Sequence, residues 1–167
     1  NRFQIIFCTK SIKKLLLKVN LDKNNLLDNM RFFKIFLGFI FLFIGSYLYL
    51  KFRSESLLMF SWAENLGLNF IINAVRNSYE GQNFYQMKIL IYSLPYGLWV
   101  ISFCCFIGAI WQNDRSISGI IWRIFVPVIA ISSEILQMFG FLPGSFDIND
   151  LSVLIVSTII GLTISLH

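Results

Sequence analysis

Four apolar runs, at residues 33–50, 89–111, 119–140 and 148–166, limit what this chain can fold into more than any other feature. Each holds about 20 residues, the length a helix needs to cross ~30 Å of hydrocarbon. In that environment every backbone amide must be satisfied within the segment, and continuous runs of this length do so as helices. Composition agrees: 56% of the 167 residues are hydrophobic and only 14% are charged, against ~25% in a soluble domain. The expectation is an all-α, polytopic transmembrane helical bundle of about four spans in the cell membrane.

The first run exceeds the ~7–15 residues of a signal-peptide core, and no small-residue cleavage site comes after it before Lys51 and Arg53. It reads as an uncleaved span. Residues 1–29 differ from the rest of the chain, being rich in Lys, Asn, Leu and Ile, and Met30 is the first methionine. Two readings stay open for them: a translated upstream segment, or a basic interfacial helix with Ile12, Leu15, Leu16 and Val19 opposite Lys13, Lys14 and Lys18. Residues 30–167 form a single transmembrane domain on either reading.

Net charge is +5, but the basic residues crowd the N-terminus and the ends of the apolar runs, which suits an anionic lipid surface and not a nucleic acid. Eight basic residues precede or enter the first span, four are spread over the first loop, and the loop at 141–149 has none. The positive-inside rule then puts the N-terminus in the cytoplasm and the 141–149 loop outside. Cys8, Cys104 and Cys105 make no disulfide framework, and His167 is the only histidine. With no glycine-rich phosphate loop and no G-x-S-x-G elbow, the sequence points to no metal and no cofactor.

Between the first two spans, Ser61-Trp-Ala-Glu64 fits a capping box, and Trp62, Leu66 and Phe70 recur beside Ile71 and Val75. This predicts an amphipathic extracytoplasmic helix over 61–76, either a packed connector or a lid. Pro95 and Gly97 interrupt the second span, with Ser93 available to satisfy freed carbonyls and Tyr92, Tyr96 and Trp99 as interfacial aromatics. Arg123 enters the third span near its start and is expected to snorkel to the headgroups.

The acidic residues near the end of the chain carry the chemistry. Glu134 lies inside the third span, where a charge costs at least ~2.5 kcal/mol and marks a functional-site candidate. Gln137 shares its helix face, and Ser133 flanks it. The turn Leu142-Pro-Gly-Ser145 then reverses the chain, Asp147 stands at the N-cap position of the last helix, and Asp150 comes next in its first turn. Both aspartates can be ordinary helix-start chemistry. The short loop nevertheless brings Glu134, Gln137, Asp147 and Asp150 to one mouth of the bundle, where carboxylates can share a proton, hold a hard divalent cation, or recognise a cationic or hydroxyl-bearing headgroup.

Glu134-x-x-Gln137, a turn, then Ser145-Phe-Asp147-x-x-Asp150-Leu before a final apolar helix with Gly161 resembles the pattern of the VanZ-like family of small bacterial membrane proteins. The likeness covers residues 119–166. Two positions depart from it: Gly144 stands where the family has an arginine, and Leu154 where it has an asparagine. The resemblance implies a role at the bacterial cell envelope, with a link to resistance against the glycopeptide teicoplanin and no reaction established for the family. Three functions are expected from these residues. The first is a binding or accessory role, with membrane lipids and an envelope lipid or glycan component as partners. A membrane-embedded enzyme and a proton-coupled transporter, each using the carboxylates, are the others. No G-x-x-x-G face argues for a particular oligomeric state.

Overall fold

The computed structural model describes residues 2–53, 58–76, 88–114 and 116–166. Among these the chain is helical, with no strand: α1 (Arg2–Phe52), α2 (Leu58–Asn65), α3 (Asn69–Arg76), α4 (Lys88–Ile110), α5 (Ile117–Met138) and α6 (Ile148–Leu166). Four stretches are long and apolar enough to cross a membrane: Leu21–Phe52, Ile91–Ile110, Ile117–Met138 and Ile148–Leu166. Their outward faces carry exposed Phe, Ile and Val, such as Phe36, Phe43, Ile121, Val128, Val156 and Ile159, as helices facing lipid do.

The bundle is organised around α4. Of its apolar span 61% is buried, against 17–22% for the other three, so among the described residues α4 is the span most enclosed by its neighbours. It packs most extensively against α1 on one side and α6 on the other, while α5 lies more lightly on α4 and α6. Small residues permit this closeness, because without a hydrophobic driving force between helices the gain comes from van der Waals contact and polar pairs. On α6, Ser157, Gly161 and Ser165 recur every fourth residue and all three are buried. They face Gly97, Cys104 and Gly108 of α4 in turn, and a Cβ added at Gly108 would lie 2.6 Å from the Ser165 Cα. On the other side Gly38 and Gly45 of α1 receive the Phe106 and Trp99 rings, and the Ser102 hydroxyl donates to the Gly38 carbonyl at 2.8 Å. The small residues that gave no dimer face in the sequence are used inside the chain.

Consecutive spans alternate in direction, so the α5–α6 loop shares one end of the bundle with the C-terminus of α1 and the start of α4. The C-termini of α4 and α6 meet at the opposite end. There Lys34, only 4% exposed, donates to the carbonyls of Gly108 (3.5 Å) and Ser165 (3.2 Å), placing its charge on two helix C-termini whose last carbonyls lack intrahelical donors. Arg123 is buried and donates to the Trp111 carbonyl just past α4, which also accepts from the Asp114 amide at 3.0 Å.

One expectation changes. The Ser61–Glu64 capping box does not form: Ser61 falls inside α2 and Glu64 in its last turn, and Gly67, at φ +70°, separates α2 from α3. The segment 61–76 is therefore two short helices, anchored by buried Phe60 and Ile72 while Trp62, Leu66 and Phe70 are exposed. At the N-terminus α1 runs unbroken through residues 2–52, and Lys18 and Val19 are both exposed. Cys104 and Cys105 are buried free thiols, and the side chain of Cys8 lies outside the described residues.

Candidate functional site

The turn that carries the acidic residues is built by backbone rules before any function is considered. Helix α5 ends in a Schellman arrangement: Gly140, at φ +73°, sends its amide to the Gln137 carbonyl at 3.0 Å, and the Phe141 amide reaches the Leu136 carbonyl at 2.9 Å. Four residues on, Gly144 takes φ +137° and lies over the Gln137 amide, so close that a Cβ there would fall 2.9–3.1 Å from its atoms. A side chain at this position would be strained by the backbone and would have to displace the Gln137 amide.

The chain then enters α6. Asp147 Oδ1 accepts from the Asn149 amide at 2.9 Å and from the Asn149 side chain at 2.8 Å, while the Asp147 carbonyl accepts from the Leu151 amide at 3.1 Å. This is N-cap geometry, and it accounts for Asp147 without a ligand. Asp150, half-buried in the first turn, is free of that duty and complements the helix dipole. Glu134 is different again. It is 8% exposed, the Asp147 backbone amide is directed at its carboxyl, and its Oε2 has no hydrogen-bond partner.

Glu134, Gln137, Asp147 and Asp150 all line one cavity of about 520 Å³ at the α5–α6 loop end, together with Pro143, Gly144 and Ser145 of the turn. The other wall comes from elements far away in sequence: Arg53, just past α1, and Tyr92, Ser93 and Tyr96 in the first turns of α4. Arg53 is the residue that sequence reasoning missed. Its guanidinium donates to the Tyr96 hydroxyl and sits 5.2–5.8 Å from the ring centroids of Tyr49, Tyr92 and Tyr96. Its Nε has no partner. Arg76 of α3 holds this region in place by donating to the Leu50 carbonyl at 3.1 Å and the Arg53 carbonyl at 2.6 Å, which closes the C-terminus of α1.

The cavity therefore contains both signs of charge. Arg53, Asp147 and Asp150 are near enough to act electrostatically on Glu134, yet among the described residues no ion pair joins Arg53 to any of these carboxylates. Nor, among the described residues, do three Asp, Glu, Cys or His side chains converge in a way that could hold a metal ion. The Tyr92/Tyr96 pair was visible as a four-residue repeat on one face of α4, but only as interfacial aromatics. A signal for Arg53 existed in its place three residues beyond the first apolar run, though nothing local says toward which helix it turns.

Comparison with protein-family models, with curated proteins and with solved structures finds no match to this chain.

Proposed function

We propose that this is a multi-pass protein of the bacterial cell membrane whose cavity at the α5–α6 loop binds a polar component of the envelope, in the manner of a VanZ-like accessory protein. The N-terminus faces the cytoplasm and the cavity faces outward, in keeping with the basic residues of α1 and their absence from the α5–α6 loop. One observation carries the binding reading: Glu134 is buried inside a span with a carboxylate oxygen left without a partner, and Glu134 belongs to the wall of an open, polar cavity. Such a group is costly at membrane depth unless something completes it.

Binding is favoured over hydrolytic chemistry by the company Glu134 keeps. Ser93 is the cavity's buried hydroxyl, but among the described residues no histidine stands beside it to act as base and the acidic residues form no three-ligand metal cage.

The test is teicoplanin susceptibility of a Gram-positive host expressing the chain, with membrane levels monitored in parallel. A shift produced by the wild-type protein is expected to disappear in Glu134→Gln and to shrink in Asp150→Asn. A Glu134→Gln protein that inserts normally and keeps the full phenotype would rule out the cavity as the functional site.

A further inference from the structure

The cavity's two charges point further than a generic polar site. Arg53 and the pair Glu134/Asp150 line the same 520 Å³ space, a volume typical of small-ligand sites, without pairing to each other. Arg53 is restrained by the Tyr96 hydroxyl and by three tyrosine rings, so it cannot swing over to neutralise Glu134 without giving up those contacts. Each side retains an unfilled polar atom, Arg53 Nε on one wall and Glu134 Oε2 on the other, the latter on a side chain more than nine-tenths buried. A purely cationic ligand would leave Arg53 facing like charge, and a purely anionic one would meet Glu134 and Asp150. Either mismatch is the kind of unpaired contact by which sites reject ligands.

We infer that the cavity takes a zwitterion in which an ammonium lies a few atoms from a phosphate or carboxylate, the anion on Arg53 and the ammonium between Glu134 and Asp150. The inference rests on the binding reading above and narrows it to a ligand class. The guanidinium fork suits a two-oxygen anion, and the carboxylates accept N–H donors. Glu134, near the end of α5, and Asp150, in the first turn of α6, lie toward one end of the bundle, so a phospholipid with a primary amine and a soluble zwitterion of the same chemistry are both candidate sources.

The experiment titrates the full chain in detergent micelles with four probes: short-chain phosphatidylethanolamine, short-chain phosphatidylglycerol, glycerophosphoethanolamine and ethanolammonium. Wild-type protein is expected to prefer phosphatidylethanolamine over phosphatidylglycerol by about ten- to a hundredfold, the range of charge-assisted hydrogen bonds. Glu134→Gln should erase that preference by weakening phosphatidylethanolamine and strengthening phosphatidylglycerol, and Arg53→Gln should weaken both lipids. Asp150→Asn, with a smaller loss of preference, provides a second variant should Glu134→Gln fail to fold. Glycerophosphoethanolamine binding as tightly as the lipid assigns the headgroup alone, whereas binding of the acylated form only assigns the lipid.

Equal affinity for the two lipids in wild-type protein overturns the inference, as does a folded Glu134→Gln chain with undiminished preference. Ethanolammonium binding that matches the lipid and ignores Arg53→Gln overturns it too, while leaving an acidic binding cavity in place. The cavity reading itself fails separately, on a teicoplanin phenotype indifferent to Glu134.

Discussion

The two ends of this bundle treat buried charge in opposite ways. At one end Lys34 and Arg123 donate to carbonyls at the C-termini of α4 and α6, although Arg123 Nε is left without a partner. At the other, Arg53, Glu134 and Asp150 line a cavity, where Glu134 Oε2 has no partner and, among the described residues, no ion pair joins Arg53 to the carboxylates. The difference separates two reasons for keeping ionisable groups at membrane depth. A charge met by its own fold contributes stability, whereas one held short of its partners is set up for something that is not part of the chain.

The strongest challenge to this contrast is at the closed end. Gly108→Leu would drive a side chain into the Ser165 backbone, separate α4 from α6 and pull apart the carbonyls that Lys34 joins. A loss of about 3 kcal/mol in unfolding free energy is expected, the upper part of the overpacking range. Ser165→Gly should not restore it, since the nearest atom is a Cα; rescue would show that the helices are not held at backbone distance.

Next in size, Lys34→Met should cost about 2 kcal/mol, because carbonyls lose a charged donor in a place without water. Glu134→Gln should stay within about 1 kcal/mol of wild type, as no hydrogen-bond partner is abandoned at Oε2. Measured side by side in the same detergent, these two variants test the comparison directly. Equal destabilisation would mean that both ends are structural.

Within the open end the aspartates should divide. Asp147→Ala removes the N-cap of α6 and should cost about 1 kcal/mol, whereas Asp150→Ala should cost no more than a few tenths. Thermal unfolding in detergent reads both. If Asp150 proves the costlier, its role at the helix start outweighs its role in the cavity.

The smallest effect is a pH dependence outside the spans. The Ser116 amide donates to Asp114 Oδ1 at 2.6 Å, and this bond, with the Ser116 side chain adding to it, holds the Asp114 carboxyl below its ordinary value. A depressed folded-state value means that the contribution is present above the unfolded value of ~3.9 and is lost as the pH falls through the folded one. The melting temperature of wild-type protein should therefore drop more than that of Asp114→Asn below about pH 4. Parallel curves would remove Asp114 from the support of the α5 start.

How much of this was legible without coordinates depends on the range of the interaction. The spans come from local hydropathy, and the Asp147 cap, the 142–145 turn and the convergence of Glu134 with Gln137 and Asp150 come from short-range spacing, so all of these are visible in the string of residues. The Ser61–Glu64 box matched a local pattern and still failed, because burying Phe60 and Ile72 places the helix starts elsewhere. The partners of Arg53 and Arg123 were not legible for one reason: a long side chain at a helix end can reach several partners, and which carbonyl or ring lies within reach depends on helices far away in sequence.

The sequence by itself determined that this chain folds as a helical bundle with four stretches fit to cross a membrane and that its acidic residues gather at one end, since hydrocarbon thickness and helix geometry allow a chain of this pattern little else. Only the tertiary structure decided which charges close on the fold and which stay open. Lys34 and Arg123 look as free in the sequence as Arg53 does, and it is the packing of α1 and α6 against α4, through glycines and serines small enough to admit it, that brings carbonyls to the first two and tyrosines and a facing pair of carboxylates to the third.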